Sequence, residues 1–271
     1  MLPDHPVIRR NHVTELPGPG PTLLYAHGFG CNQTMWQRVV PAFRHSHRQV
    51  LFDYVGSGRS DWSAFDTGKY ATLAGYAQDL IDVGDALALE GAVFVGHSVS
   101  CSIGMLASIA RPRLFSKMVL IGPSPCFLNH PPDYLGGFDA SDLEGLLDLM
   151  DQNYIGWASY LAPVVIAANP DAPHDEVTTE LNDSFCSTDP HIARVFARAT
   201  FFADNRADLA QVRCPSLILQ HRSDALAPLA VGDYLHRHLA DSTLEVLDVQ
   251  GHCAHMSRPD LVVAAMQRYL C

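Results

Sequence analysis

Apolar residues along this chain fall into short unbroken runs, separated by longer segments in which apolar positions recur every three or four residues. The runs Thr22–Ala26, Gln49–Val55, Ala92–Gly96, Met118–Ile121, Ser216–Gln220 and Leu244–Leu247 read as strands. Strands without polar alternation belong to a parallel sheet covered on both faces. The segments Leu73–Leu89, Val99–Ala110, Leu229–Leu239 and Pro259–Leu270 carry helical spacing. Strand–helix alternation of this kind predicts an α/β fold with right-handed crossovers.

One section breaks the alternation. Between about Cys126 and Asn205 there is no good strand, and the stretches Ser141–Asn153, Tyr154–Ala168 and Pro190–Ala203 are helix-like. Pro131-Pro132, Gly136-Gly137, Pro170 and Pro173 punctuate them. A pair of ordinary crossover helices would not fill so long a section. The expectation is a helical cap at 126–205, inserted into a core made of 1–125 and 206–271.

Composition narrows the class. A chain of 271 residues suits one large domain, or one with an inserted subdomain. With 48% hydrophobic and 17% charged residues it can build a core and is not a disordered chain. The formal net charge of −11 argues against nucleic acid or an anionic membrane as partner. No apolar run is long enough to span a bilayer, and Met1–Pro6 lacks the basic and apolar regions of a secretory signal. The seven cysteines, Cys31, Cys101, Cys126, Cys186, Cys214, Cys253 and Cys271, are odd in number and scattered. Reduced thiols in a cytoplasmic protein account for them better than a disulfide framework. A monomer is the default expectation.

Candidate chemistry centres on Gly96-His97-Ser98-Val99-Ser100, which follows a predicted strand and opens a predicted helix. That is the setting of a nucleophile elbow. A serine hydroxyl needs an adjacent base and nearby oxyanion donors to act as a nucleophile. A sharp strand-to-helix turn exposes Oγ beside the unpaired N–H groups of the helix start. Ser100 stands where the usual pattern has glycine, so somewhat looser helix packing is expected there. A helix-capping serine would look similar in isolation; the strand, the helix and the partners below favour the nucleophile.

In α/β-hydrolases the acid and then the base follow the nucleophile in chain order. His252, just past the last predicted strand, is the expected general base among 14 histidines, with His255 as the nearby competitor. The pair His252-x-x-His255 resembles a metal pair but lacks further ligands, so no metal or other cofactor is expected. Asp224 follows the preceding strand and is the expected acid, which would fix the imidazole tautomer; Asp248 is the alternative. The loop His27-Gly28-Phe29-Gly30 follows the first strand and matches the position of an oxyanion loop. The expected donors are the N–H groups of Phe29 and Val99. The closely spaced glycines in Asp53–Ser60 read as a structural turn, because no phosphate-loop pattern accompanies them.

Longer motifs are more specific. They are His27–Gln33, Leu51–Gly58, Gly96–Val99, Gly122–Pro125, Gly136-Gly137-Phe138, Asn153–Ala158, Phe185–Pro190 and Gly251–Ser257. Over nearly its whole length the chain resembles the RsbQ-like hydrolases, bacterial stress-signalling proteins related to the plant karrikin and strigolactone receptors. The resemblance implies a triad of Ser98, Asp224 and His252, and a four-helix V-shaped cap over a small apolar pocket. On matching positions Phe29, Phe127, Phe138, Trp157 and Phe201 would line that pocket, although each could equally serve cap–core packing. As a group above a nucleophile they point to a small hydrophobic ligand.

Two functions follow. One is an esterase or lactonase acting on a small hydrophobic ester through an acyl-enzyme. The other is a slow, receptor-like hydrolase whose ligand-bound cap engages a protein partner. The resemblance makes that partner a PAS-domain phosphatase of a stress sigma-factor pathway. Dehalogenases and epoxide hydrolases of this fold carry aspartate at the elbow, so Ser98 argues against both. A haloperoxidase-like side activity would use the same triad.

Overall fold

The computed structural model describes residues 4–168 and 175–271. Met1–Pro3 and the punctuating Pro170 and Pro173 lie outside the described residues. Seven strands form one sheet in the order β1-β3-β2-β4-β5-β6-β7. They are β1 (Thr14–Leu16), β2 (Thr22–Ala26), β3 (Arg48–Leu51), β4 (Ala92–His97), β5 (Phe115–Ile121), β6 (Ser216–Ser223) and β7 (Ser242–Gln250). All neighbours run parallel except β1, which pairs antiparallel with β3. Both faces are covered. Leu23, Tyr25, Val93, Val95, Val119 and Ile121 join one buried cluster, and Leu24, Ala26, Phe94, Met118 and Leu120 join the other. Alternate residues therefore face opposite layers, and both sets must be apolar.

The helices are α1 (Pro6–Arg10), α2 (Leu73–Ala86), α3 (Val99–Ala110), α4 (Ala140–Gln152), α5 (Tyr154–Ile166), α6 (Glu176–Cys186), α7 (Pro190–Phe201), α8 (Leu229–His238), α9 (Ala254–Ser257) and α10 (Pro259–Leu270). Helices α2, α3 and α8 cover one face of the sheet. Helices α9 and α10 cover the other, beside the segment α4–α7 that interrupts the chain between β5 and β6. Within this insertion α4 packs on α5 and α7, and α5 on α6. Side-chain caps define its helix starts: a capping box between Asp139 and Asp142, then Asn153, Asp175 and Asp189. Each such cap satisfies N–H groups that the first helical turn leaves unpaired. Among the described residues no helix is long and apolar enough to cross a membrane.

Three elements differ from the sequence-based expectation. The run Gln49–Val55 is strand only as far as Leu51. Beyond it the Asp53 carboxylate accepts from the backbone N–H groups of Gln33 (2.8 Å) and Arg59 (2.9 Å) and draws the chain out of the sheet. The edge strand β1 is three half-buried residues, too short to carry a pattern. Helix α6 is not marked by periodicity, although the four helices implied by the resemblance leave a place for it. Its apolar stripe is a thin Val177, Leu181, Phe185 on an otherwise polar helix.

Candidate active site

Strand β4 ends at His97 and α3 begins at Val99, so Ser98 alone makes the turn. Its backbone lies at φ 55°, ψ −123°, a region that costs a non-glycine residue about 1–3 kcal/mol. Hydrogen bonds from Ser98 N–H to Ile121 O and from Cys101 N–H to Ser98 O, both 2.9 Å, hold it there. The approach is close: a Cβ on residue 96 would lie 2.5 Å from the Phe94 ring and 3.2 Å from the Ser100 backbone. Glycine is the residue that fits.

Ser98 Oγ donates to His252 Nε2 at 2.7 Å, and His252 Nδ1–H donates to Asp224 Oδ2 at 2.7 Å. All three side chains are buried. Asp224 follows β6, and its Oδ1 accepts from the N–H groups of Leu226 (2.8 Å) and Ala227 (3.1 Å). Burial pushes the Asp224 carboxyl up, but the neighbouring imidazoles of His252 and His221, with the His252 hydrogen bond, outweigh it and hold the group well below the usual carboxylate range. The chain is therefore an ionised acid, an imidazole of fixed tautomer and a hydroxyl aimed at its free nitrogen.

The two competitors lie elsewhere. Asp248 is exposed and accepts from Arg222 Nε at 2.7 Å. His255 is fully buried, 4.8 Å from the Trp36 ring and 4.3 Å from the His97 ring, and has no hydrogen-bond partner among the described residues. Burial pushes its pKa well down.

Supports that the sequence did not disclose surround these groups. His97 Nε2–H donates to the His252 carbonyl at 3.0 Å, tying the nucleophile strand to the base loop. His252 N–H donates to Val165 O at 2.6 Å, so the base also caps the C-terminal turn of α5. On the Phe29 side, His27 Nδ1–H donates to Gly28 O (2.9 Å), and its Nε2 accepts from Tyr54 N–H (3.2 Å). Ser100 is fully buried. Its hydroxyl donates to His27 O (2.5 Å) and accepts from Tyr54 OH (3.0 Å). The expected looseness at position 100 is thus filled by two hydrogen bonds that fasten α3 to the loop. Among the described residues no backbone acceptor takes the N–H of Phe29 or of Val99. Gly30, at φ +68°, brings the loop against α6, where a Cβ would lie 2.4 Å from the Phe185 ring.

A cavity of about 30 Å³ lies beside Ser98 and His252. Phe29, Phe127 and Phe201, three of the aromatics implied by the motifs, lie on its wall together with Phe185, Leu161 and Val165. Two expected lining residues are corrected. Trp157 is fully buried behind the wall, 6.0 Å from the Phe29 ring and 5.7 Å from Phe185. Phe138 is only partly buried and bridges to Leu128 in the loop after β5. Both serve packing of the insertion.

Residues 23–265 match the family model described as the alpha/beta hydrolase family. A karrikin insensitive 2 receptor of Petunia hybrida is 36% identical over 266 residues, 97% of this chain and 97% of its own. The strigolactone esterase of Pisum sativum is 38% identical over 246 residues, 90% of this chain and 91% of its own. Among solved structures, a hydrolase from Oleispira antarctica is similar with a TM-score of 0.94 and 44% identity, covering 97% of this chain and 96% of that one. Similarity to a karrikin insensitive 2 receptor and to a strigolactone esterase is therefore found over nearly full length.

Proposed function

The chain belongs to the alpha/beta hydrolase family, and on that premise we propose that it hydrolyses a small hydrophobic ester or lactone with Ser98 as nucleophile, His252 as general base and Asp224 as its acid. The observation that carries this reading is the hydrogen-bonded chain Ser98–His252–Asp224, with 2.7 Å at each link, opening on an apolar cavity.

Ser98 Oγ attacks the ester carbonyl carbon while His252 Nε2 takes its proton. Asp224 stabilises the imidazolium so formed. The carbonyl oxygen becomes an oxyanion and is taken up by the N–H groups of Phe29 and Val99. His252 then returns the proton to the leaving alkoxide, and the bond to the alcohol breaks. The Ser98 acyl-enzyme remains. Water, deprotonated by His252, attacks it and releases the acid with Ser98 restored. A lactone would give both products as one hydroxy acid.

In the same reading, residues 126–205 act as a cap over the core. The cap motifs support RsbQ-like affiliation, and with it a second reading: slow turnover coupled to recognition of a PAS-domain phosphatase. The likeness to the karrikin receptor and the narrow cavity favour giving that reading a test. Ser98→Ala is expected to abolish hydrolysis of short p-nitrophenyl esters while far-UV circular dichroism and melting stay near wild type. Retained turnover would reject Ser98 as nucleophile. Rapid steady-state turnover favours the metabolic enzyme. Very slow turnover with ligand-dependent phosphatase binding favours the receptor.

A further inference from the structure

The insertion joins the core through two chain connections that lie side by side. Cys126, leaving β5, forms an antiparallel bridge with Asp204, which follows α7, and Asn205 N–H donates to Pro125 O at 2.8 Å. At this junction three side chains converge. Cys126 Sγ is 3.6 Å from His130 Nε2, His130 Nε2 is 3.9 Å from Asp204 Oδ2, and all three ligand atoms lie within 4.8 Å of one another.

We propose that Cys126, His130 and Asp204 bind a thiophilic divalent cation of the zinc class and so fasten the insertion to the core. Zinc–sulfur bonds of about 2.3 Å and zinc–nitrogen or –oxygen bonds of about 2.0–2.1 Å, set tetrahedrally, separate ligand atoms by about 3.3–3.6 Å. The sulfur–nitrogen distance already fits, the nitrogen–oxygen distance needs to close by about half an ångström, and the sulfur–oxygen distance, within 4.8 Å, by up to about an ångström. Both ends of that gap are partly exposed side chains, 42% for His130 and 40% for Asp204. The same exposure leaves room for water as a fourth ligand.

The geometry separates chelation from a second proton relay. In a relay the thiol and the carboxylate meet opposite nitrogens of the imidazole. Here both face Nε2. The turn that presents His130 is closed by reciprocal backbone bonds with Tyr134, of 2.8 and 3.0 Å. Arg206 holds the Asp204 carboxylate through both oxygens, at 2.8 and 2.6 Å, and the Tyr134 ring covers its guanidinium at 4.9 Å. Metal-ligating carboxylates are commonly oriented by such outer partners, and each oxygen keeps a further lone pair. On binding, the Cys126 thiol releases its proton to water as the sulfur–metal bond forms.

The test uses the full chain, stripped with a chelator and titrated with cobalt(II). One equivalent is expected to bind and give a thiolate-to-cobalt charge-transfer absorption that zinc(II) abolishes. Cys126→Ser is expected to remove the band, and His130→Ala, at an exposed side chain, to weaken cobalt binding tenfold or more. Cys271→Ser, which removes the exposed C-terminal thiol, is expected to leave the band intact. Ester hydrolysis by metal-free Cys126→Ser should stay at the wild-type level, which also reports a folded protein. No sulfur band, a band that survives Cys126→Ser, or affinity indifferent to His130→Ala would each overturn the site.

Discussion

At the residue scale, the positions around Ser98 differ in how far sequence position alone discloses them. Ser98, Asp224 and His252 were legible because chain order and element ends select them, and the structure places them within hydrogen-bond distance. Their proposed division of labour predicts that Asp224→Asn lowers kcat by about 10⁴, the loss seen when a triad aspartate is replaced. Asp248→Asn, at an exposed side chain paired with Arg222, should leave kcat unchanged; the reverse outcome in ester assays would reassign the acid. Ser100, Tyr54, His27 and His97 were not legible as supports. Their partners lie 27 to 155 positions away, and sequence spacing says nothing about such contacts. Ser100 carries its own prediction. Ser100→Ala leaves the His27 carbonyl and the Tyr54 hydroxyl without their shared partner, at a stability cost of about 1–3 kcal/mol. If Ser100 positions the Phe29 loop, kcat should fall by up to about 100-fold with KM little changed. Steady-state kinetics on a p-nitrophenyl ester, beside a urea titration, separates this from a purely structural role, which would move stability alone.

At the element scale, the six parallel strands followed from apolar runs because both faces of this sheet are buried. The same simplicity misread Phe52–Val55. Those residues are as buried as a strand, yet Asp53 turns them away from the sheet to receive the N–H groups of Gln33 and Arg59. Helix α6 escaped for the opposite reason, since one narrow apolar stripe on a polar helix gives little periodic signal. That stripe nevertheless ends on Phe185, which lies against Gly30 and forms part of the cavity wall. Trp157 shows the limit of inferring a wall from motifs. A buried aromatic above a site can stand one layer back, and here Phe29 and Phe185 stand in front of it. The wall makes a prediction about selectivity. A cavity of about 30 Å³ leaves little space for an acyl chain. Phe185→Leu removes the ring from Gly30 and should shift kcat/KM toward longer acyl chains by about tenfold, within the range that pocket-filling groups supply. An unchanged chain-length profile would mean that α6 does not set the acyl limit.

At the scale of the whole molecule, the same burial that assembles the site makes the fold sensitive to acid. His27, His97 and His255 are fully buried, and burial pushes all three pKa values below the ordinary 6.5. For His97 the neighbouring imidazoles of His255 and His252 push the same way. An unfolded chain binds a proton at each of these rings as pH falls through about 6.5, and the folded chain does not. The stability they contribute is therefore fully present above pH 6.5 and declines below it, until the folded rings themselves take up protons. Asp224, held below its ordinary 3.8, acts in the same direction further down the scale, its share being present above that value and lost as pH falls through the folded pKa. Three excluded protons amount to a slope of up to about 4 kcal/mol per pH unit. Against a total stability of roughly 5–15 kcal/mol for an ordinary domain, a slope of that order is large enough to be read directly in a denaturation experiment. Urea denaturation followed by tryptophan fluorescence, repeated from about pH 7 to about pH 5, should show the unfolding free energy falling steeply with pH. The slope should shrink in His255→Gln, because that ring makes no hydrogen bond among the described residues and meets the rest of the molecule through packing and burial. A free energy independent of pH over this interval would mean that the folded protein accepts these protons, and that its buried imidazoles are hydrated or paired in solution.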